Sequence, residues 1–137
     1  MSTYTNFKCK IHLRSDTPEE VVSLIDKTVR GDIGVDKVIF HSSDVPDSSI
    51  DHIFFQCERW YFLFLSTNWG STEGAKFYRS GNHWVLELDT EFKNYDDEIE
   101  KFVDWITPYV AGRKKKQYIG NYRVEYSDHP INLYIER

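Results

Sequence analysis

The stretch Phe7-Lys8-Cys9-Lys10-Ile11-His12-Leu13-Arg14 alternates apolar and polar residues without a break. A period of two is typical of a β-strand that has one face in the core and the other in water. Every polar residue in the stretch is a lysine, a histidine or an arginine. We therefore predict a strand with a basic outer face.

A helix is predicted directly after this strand. The segment Thr17-Pro18-Glu19-Glu20 is typical of a capping box, in which the threonine hydroxyl accepts a hydrogen bond from the amide of the second glutamate. Its proline suits the first helical position, and apolar residues follow at helical spacing. Gly31 is placed to end the helix. The expected helix covers residues 18–30.

The middle of the chain is predicted to contain a loop and a long strand. Lys37 to Phe40 indicates a short strand, and His41 to Asp51, rich in serine and aspartate, indicates an exposed loop. The stretch from Ile53 to Thr67 is strand-like, with a polar break at Glu58-Arg59. Trp60 to Leu65 is apolar on both alternating faces, which is expected of a central strand covered on both sides.

The next predicted elements are a hairpin and a second helix. Lys76 to Arg79 and the turn Ser80-Gly81-Asn82 precede an alternating strand. In that strand the inward residues are Trp84, Leu86 and Leu88, and the outward ones are Glu87, Asp89 and Glu91. Asn94 is expected to cap a helix over residues 95–111, which Pro108 ends or kinks. Residues 118–126 and 131–136 then form a terminal hairpin.

This order of elements predicts an α+β fold. Hairpin-length connections favour an antiparallel sheet with two helices packed on one face, ferredoxin-like or a related α/β sandwich. The chain has 137 residues, of which 40% are hydrophobic. That length is typical of one domain, so we expect residues 1–137 to fold as a single unit.

Composition excludes several classes of function. The formal net charge of −5 disfavours a protein that binds nucleic acid through its phosphates. No leader-like apolar segment opens the chain, and the longest apolar run is too short to cross a membrane. We therefore expect a cytoplasmic protein that binds neither nucleic acid nor membrane. Cys9 and Cys57 lie in predicted strands and are expected to be reduced, with a disulfide between them as the alternative.

The sequence contains no convincing catalytic or metal motif. Its histidines are scattered, and the set His41, Asp44, Asp47, Asp51 and His52 matches no known ligand order, which favours a solvated loop. The candidate nucleophiles, which are Ser42, Ser43, Cys57 and Ser66, lack a GxSxG elbow. We expect no metal and no cofactor, and we favour a protein without enzymatic activity.

Three groups of residues are candidates for binding. Glu58 and Arg59 lie beside Trp60, where they either pair structurally or form an aromatic cleft in which the arginine recognises an anion. The outward carboxylates Glu87, Asp89 and Glu91 either receive a basic partner or pair with the basic strand across the sheet. Trp105 lies off the apolar stripe of its helix, as an exposed interface anchor or packed against a loop.

Three segments suggest a family resemblance. These are His52-Ile53-Phe54-Phe55-Gln56-Cys57-Glu58-Arg59-Trp60, the run Lys93-Asn94-Tyr95-Asp96-Asp97-Glu98 continuing to Tyr109, and Ile119-Gly120-Asn121-Tyr122-Arg123-Val124-Glu125. Together they resemble a family of small uncharacterised bacterial α+β proteins, over roughly residues 50–137. The resemblance implies a fold, and by analogy of build an immunity-like inhibitor that blocks a toxin.

These observations lead to two main functional expectations. The first is a non-enzymatic protein-binding module, such as an immunity-like inhibitor, which uses an acidic and aromatic surface. The alternative is a small-ligand-binding protein or enzyme with an aromatic cleft around Arg59. A homodimer that pairs through sheets or strand edges is compatible with both.

Overall fold

The computed structural model describes residues 4–30, 45–57, 60–64, 74–94 and 96–137. In chain order the strands are β1 (Thr5–Leu13), β2 (Gly74–Ser80), β3 (His83–Phe92), β4 (Lys116–Val124) and β5 (Ile131–Glu136). The α-helices are α1 (Glu19–Val29), α2 (Asp47–Ile50), α3 (Ile53–Gln56) and α4 (Glu98–Ile106), and 3₁₀ turns cover Trp60–Leu63 and Thr107–Tyr109.

The strands form one antiparallel sheet in the order β2-β3-β1-β4-β5. The alternating strand β1 lies at its centre, between β3 and β4. Lys8 of β1 stands opposite Asp89 on one side and Asn121 on the other. The predicted α+β class and antiparallel sheet are therefore confirmed.

One face of this sheet carries the core. The inward residues of β1, which are Phe7, Cys9, Ile11 and Leu13, belong to the same hydrophobic cluster as Leu24 and Ile25 of α1 and Phe102 and Ile106 of α4. Lys8, Lys10 and His12, which alternate with the inward set, are exposed. The face that they share with the outward residues of the other strands is called the open face below.

The first helix begins at Glu19 and ends at Val29, close to the predicted bounds. The predicted capping box is wrong, because no side chain caps the helix. The hydroxyl of Thr17 instead donates to the carbonyl oxygen of Arg14, at 2.6 Å. Thr17 thus closes the turn that follows β1, and Pro18 stands at the helix boundary. Gly31 lies outside the described residues.

The predicted central strand from Ile53 to Thr67 is wrong over its described part. Ile53–Gln56 is helical, and Trp60–Leu63 forms a 3₁₀ turn. The imidazole of His52 starts this compact region, since its Nδ1 accepts from the amide of Phe54 at 3.0 Å. A short run that is apolar on every side suits a buried helical turn as well as a buried strand, so the pattern did not distinguish them.

The expected exposed loop before this region is also only partly correct. Residues 41–44, and the predicted short strand from Lys37 to Phe40, lie outside the described residues. From Val45 onward the chain packs inward, because Val45 is buried and Ser49 of α2 is buried too. Asp47 and Asp51 remain exposed, in keeping with their acidic side chains.

The second long helix is shorter than the predicted range of 95–111. It begins at Glu98, and its regular α-helical part ends at Ile106. The N-cap residue is Asp97 rather than the predicted Asn94, although the Asn94 Oδ1 still accepts a hydrogen bond from the amide of Ile99 in the first turn, at 3.1 Å. The turn around Pro108 continues as a 3₁₀ helix, as expected where proline interrupts the α-helical ladder.

Both predicted hairpins are confirmed. The β2–β3 turn places Gly81 at a φ of 63°, which glycine adopts at little steric cost. β4 and β5 pair through Tyr122 and Ile131 near their turn, and a bulge separates Tyr118 from Gly120. Among the described helices, none combines the length and the apolar character that a membrane span requires.

Candidate functional site

The predicted acidic row lies on the open face, between the basic row of β1 and Lys76 of β2. Glu87 of β3 stands opposite Lys10 of β1 and Lys76 of β2, and Asp89 stands opposite Lys8. This is the cross-strand register that the sequence predicted as one alternative. Opposite charges in such positions stabilise a sheet by about 0.2–1 kcal/mol per pair. Glu87 and Asp89 are therefore balanced by their own sheet, whereas Glu91 stands opposite Asn6.

Neutral side chains bind the same carboxylates. The hydroxyl of Tyr78 donates to Oε2 of Glu87 at 2.5 Å, and this hydrogen bond raises the pKa of Tyr78. Asn6 Nδ2 donates to Oδ1 of Asp89 at 3.2 Å and to the carbonyl oxygen of Thr90. A basic partner would have to replace these contacts, which argues against the acidic row as the main binding surface.

A shallow depression of about 470 Å³ lies in the middle of the open face. Its walls include Lys8, Lys10, Lys76, Asp89 and Tyr118. The side chains are polar and of both signs, and they come from four neighbouring strands. The open face is thus a solvent-exposed surface with charges of both signs, and Tyr118 lies at its β4 side.

Exposed apolar side chains concentrate at one margin of the sheet. Seven large hydrophobic residues in the described part of the chain are exposed, and five of them belong to the hairpin formed by β4 and β5. We call these five the hairpin patch: Tyr118, Val124, Tyr126, Ile131 and Tyr134. The sequence analysis did not single out this hairpin, although its repeated tyrosines were a usable signal. The register places Tyr118 and Tyr134 on the open face and Val124 and Ile131 on the opposite face, so exposed apolar side chains flank this margin of the sheet on both sides.

Two tyrosines of the patch form an ordered pair on the open face. The rings of Tyr118 and Tyr134 meet edge to face, with centroids 5.7 Å apart. Lys116 Nζ lies 4.5 Å from the ring centroid of Tyr134, and Asn121 Nδ2 donates to the hydroxyl of Tyr118 at 3.1 Å. These contacts restrict the rings while leaving both exposed. An ordered aromatic pair loses little side-chain entropy on binding.

No described strand pairs with the outer edge of β5. The amide of Arg137 donates to the carbonyl oxygen of Lys115 at 2.7 Å, so the backbone of Arg137 faces β4. Backbone groups alternate sides along an antiparallel strand. The N–H and C=O groups of Asn132, Tyr134 and Glu136 therefore point away from β4. In the described residues, the sheet order ends at β5 on this side.

The predicted cleft around Arg59 cannot be located, because Glu58 and Arg59 lie outside the described residues. Their neighbour Trp60 is only 1% exposed. Its ring packs against Phe54 and Phe55, at centroid distances of 5.8 and 4.8 Å. The predicted binding role of Trp60 is corrected to that of a core residue, because its indole presents almost no surface to a ligand.

The prediction of Trp105 as an exposed anchor is also wrong. Trp105 is 4% exposed and packs edge to face against Phe55, with ring centroids 5.0 Å apart. Its Nε1 donates to the hydroxyl oxygen of Ser49 at 3.1 Å. The alternative, packing against a neighbouring segment, is therefore the correct one. The segment is α2, which lies in the region predicted as an exposed loop.

The two cysteines are free thiols, as predicted. Cys9 lies in β1 as expected, but Cys57 follows α3 and is not in a strand. Burial raises the pKa of both thiols. A thiol with a raised pKa is a weak nucleophile at neutral pH. Ser42, Ser43 and Ser66 lie outside the described residues.

No group of three or more histidine, cysteine, aspartate or glutamate side chains is arranged to hold a metal in the described part of the chain. His41 and Asp44 are not among the described residues. His52 has a structural role, because its Nδ1 accepts from the amide of Phe54 while Nε2 lies 2.8 Å from Oδ2 of Asp104. This geometry assigns the proton to Nε2 of His52.

The chain was also compared with known proteins. No protein-family model, no curated protein and no solved structure matches it. The resemblance drawn from the three sequence segments therefore stays a prediction. The functional proposal below therefore depends on the geometry of the open face and of the hairpin patch.

Proposed function

We propose that this protein is a non-enzymatic protein-binding module that binds its partner along the outer edge of β5. The observation that carries the proposal is the concentration of five exposed hydrophobic residues on the hairpin whose second strand ends the sheet. An edge strand offers backbone hydrogen bonds to an extended segment, and neighbouring side chains supply specificity.

The expected partner segment is extended, with an apolar residue and a basic residue. It would pair its backbone with Asn132, Tyr134 and Glu136. An apolar side chain would cover the exposed Ile131, and a basic side chain would stand beside the carboxylate of Glu136, which is exposed. This surface replaces the acidic and aromatic one expected from the sequence, since Glu87 and Asp89 are balanced by basic residues and Trp105 is buried.

We also infer a ferredoxin-like core beneath this edge. The elements β1, α1, β2, β3, α4 and β4 follow the β-α-β-β-α-β sequence of that topology. The strand order β2-β3-β1-β4 and the antiparallel pairing of β1 with β3 and β4 support it. In this scheme β5 is an added strand, and its addition creates the edge used for binding.

The test is affinity capture with matched edge variants. The tagged protein, an Asn132→Lys/Tyr134→Lys variant and a Tyr78→Lys control are each used to capture proteins from the native host. Tyr78 is a suitable control because it is exposed on the opposite edge strand, at 40% against 37% for Tyr134. We expect one stoichiometric partner with the unmodified protein and the control, and at least a tenfold loss with the β5 variant.

Two results would contradict the proposal. Equal capture by all three proteins would show that the partner does not bind the β5 edge, and capture of no stoichiometric partner would overturn the module itself. A second copy of the chain is the other occupant of such an edge. A mass that doubles with concentration and returns to the monomer value in the β5 variant would identify that occupant. Immunity-like inhibition stays a prediction, to be tested on the partner once it is captured.

A further inference from the structure

A second concave region lies at one end of the sheet. It forms where β1 ends, where β2 turns into β3 and where the chain from α4 enters β4. Its volume is about 860 Å³, within the range of small-molecule sites. The polar side chains that line it are mainly His12, Arg14, Asn82, His83, Arg113 and Gln117. None of them belongs to the hairpin patch.

Backbone hydrogen bonds hold the walls of this cavity in place. The amide of Ala111 donates to the carbonyl oxygen of His12 at 2.7 Å, and the amide of Arg14 donates to that of Tyr109 at 2.8 Å. Leu13 and Val110 form a β-bridge between these bonds. The segment that carries Arg113 is therefore fixed against the end of β1, and the cavity is formed before any ligand arrives.

The charges around the cavity favour an anion. Asp16 is the single acidic residue among its described lining residues, and Arg14 neutralises it through two hydrogen bonds of 2.8 and 2.6 Å. These bonds hold the pKa of Asp16 below its usual range. Arg113 also lines the cavity and is exposed. Because the charges of Arg14 and Asp16 cancel, Arg113 gives the cavity a net positive charge even when both histidines are neutral.

The two histidines form a close pair at the cavity wall. Nδ1 of His12 lies 3.0 Å from Nε2 of His83, so one nitrogen donates the shared proton and the other accepts it. Two imidazolium rings could not keep this contact, because both nitrogens would then be donors. Partial burial, His83 and Lys10 lower the pKa of His12, whereas Glu87 acts in the opposite direction. Arg14, Asp16 and Arg113 are the other charged groups around the cavity.

We propose that this cavity binds a small tetrahedral dianion, of the kind presented by phosphate or a phosphomonoester. Arg113 and the two histidines supply donors from three separate chain segments, which suits the several acceptor oxygens of such a group. Each neutral ring has one N–H, and one of these two is used in the contact between the rings, so only one ring can donate to the anion. Uptake of one further proton gives each ring a free N–H, and the anion favours this form. Binding is then coupled to proton uptake, and it strengthens as the pH falls.

Sulfate is the first probe, because its charge does not change near neutral pH and any pH dependence then belongs to the protein. Amide NMR titrations at about pH 6 and about pH 8 should give saturable shifts around the cavity, with about tenfold tighter binding at the lower pH. Arg113→Gln should weaken binding at least fivefold at both pH values. Arg123→Gln, which removes one exposed positive charge elsewhere on the sheet, is the matched control and should have little effect.

The histidine pair has its own variant. His12→Gln/His83→Gln keeps hydrogen-bonding side chains but cannot take up protons, so it should retain the weaker affinity at both pH values. The affinities for phenyl phosphate and inorganic phosphate are then compared. Tighter binding of phenyl phosphate would identify an esterified ligand, whose organic group contacts the rest of the cavity, and tighter binding of inorganic phosphate would identify the free ion. Absence of saturable shifts, equal loss in the Arg123→Gln control, or an unchanged pH dependence in the histidine variant would each overturn the proposal.

Discussion

Among the described strands, β2 and β5 are the two at the edges of the sheet, and they differ in what they present to a neighbouring chain. β2 carries Lys76 and Arg79, and charged side chains on an edge discourage further pairing. β5 carries no basic residue from Ile131 to Glu136, and exposed Tyr134 lies in the middle of its free edge. One edge is protected by charge, whereas the other keeps its backbone groups and apolar surface accessible.

The aromatic side chains at the two edges of the sheet have different roles. Trp84 of β3 stacks on Phe77 of β2 with ring centroids 5.1 Å apart, so this aromatic pair attaches β2 to the sheet. The aromatic pair at the β5 edge remains exposed instead. Surface that contributes little to folding is available for binding, which is why the functional proposal rests on β5.

The largest expected effect comes from a substitution that forces β4, and with it the hairpin of β4 and β5, away from β1. A Cβ at Gly120 would lie 2.0 Å from the carbonyl oxygen of Lys8, so β4 could not keep its place beside β1. We expect Gly120→Ala to lower the free energy of unfolding by ~3 kcal/mol or more. Chemical denaturation measures it, with Gly81→Ala in the other hairpin as the control.

The control should be milder for a physical reason. A Cβ at Gly81 meets no atom within 4 Å, and only the positive φ of 63° opposes it. That conformation costs an alanine about 1 kcal/mol. Equal destabilisation by the two alanines would show that the approach of β4 to β1 is not as close as described.

An intermediate effect should separate the aromatic pairs of the two edges. Trp84→Ala removes a half-buried ring that stacks on Phe77, and we expect a loss of ~2 kcal/mol in unfolding free energy. Tyr134→Ala removes an exposed ring, for which we expect less than ~1 kcal/mol. Thermal unfolding of both variants checks the difference. A larger loss for Tyr134 would assign that ring to the core of the fold rather than to binding.

The smallest effect concerns one tyrosine hydroxyl near each edge, and it is a change in stability that sets in only as the pH rises above about 10. Burial and a hydrogen bond to Glu100 raise the pKa of Tyr122 to about 12, above the ordinary value of about 10. The stability that this shift contributes is complete below about pH 10 and is lost as the pH rises toward 12. Tyr122→Phe should therefore lose less stability across this interval than the unmodified protein.

Absorbance of tyrosinate measures this directly. The unmodified protein should show one tyrosine that ionises near pH 12, and Tyr122→Phe should lack that step. Tyr78→Phe is the control at the other edge, because its hydroxyl is also bonded to a glutamate but is exposed. A late ionisation step that survives in Tyr122→Phe would assign the raised pKa to another tyrosine.

Much of the fold could be predicted because its central strands have one buried face and one solvent-exposed face, so that apolar and polar residues alternate. Lys8 and Lys10 alternate with buried Cys9 and Ile11, and the same rule located β3 and the terminal hairpin. The rule did not apply to Ile53–Gln56 and Trp60–Leu63, since these short helical turns bury neighbouring residues such as Phe54 and Phe55 together, without a period of two. The exposure of Trp105 was predicted wrongly for a related reason. The sequence pattern of α4 shows which side of the helix is apolar, but it does not show that α2 packs against Trp105.

The candidate sites were harder to predict, because they depend on which strands are neighbours. The pairing of Lys8 with Asp89 needed only two alternating strands, so it was available as an alternative. The contact between His12 and His83 joins one end of β1 to the start of β3, and it follows from a register that no local pattern specifies. The free edge of β5 likewise follows from the order of the whole sheet.

The central position of β1 also determines when the protein can acquire its shape during synthesis. β1 is made first, yet its neighbours β3 and β4 are encoded far downstream. Until both have left the ribosome, the apolar face of β1 has no sheet to join, and such surfaces are prone to aggregate. The nascent chain therefore has to keep β1 soluble until β4 has been made, and the charged lysines that alternate along β1 favour its solubility during that interval.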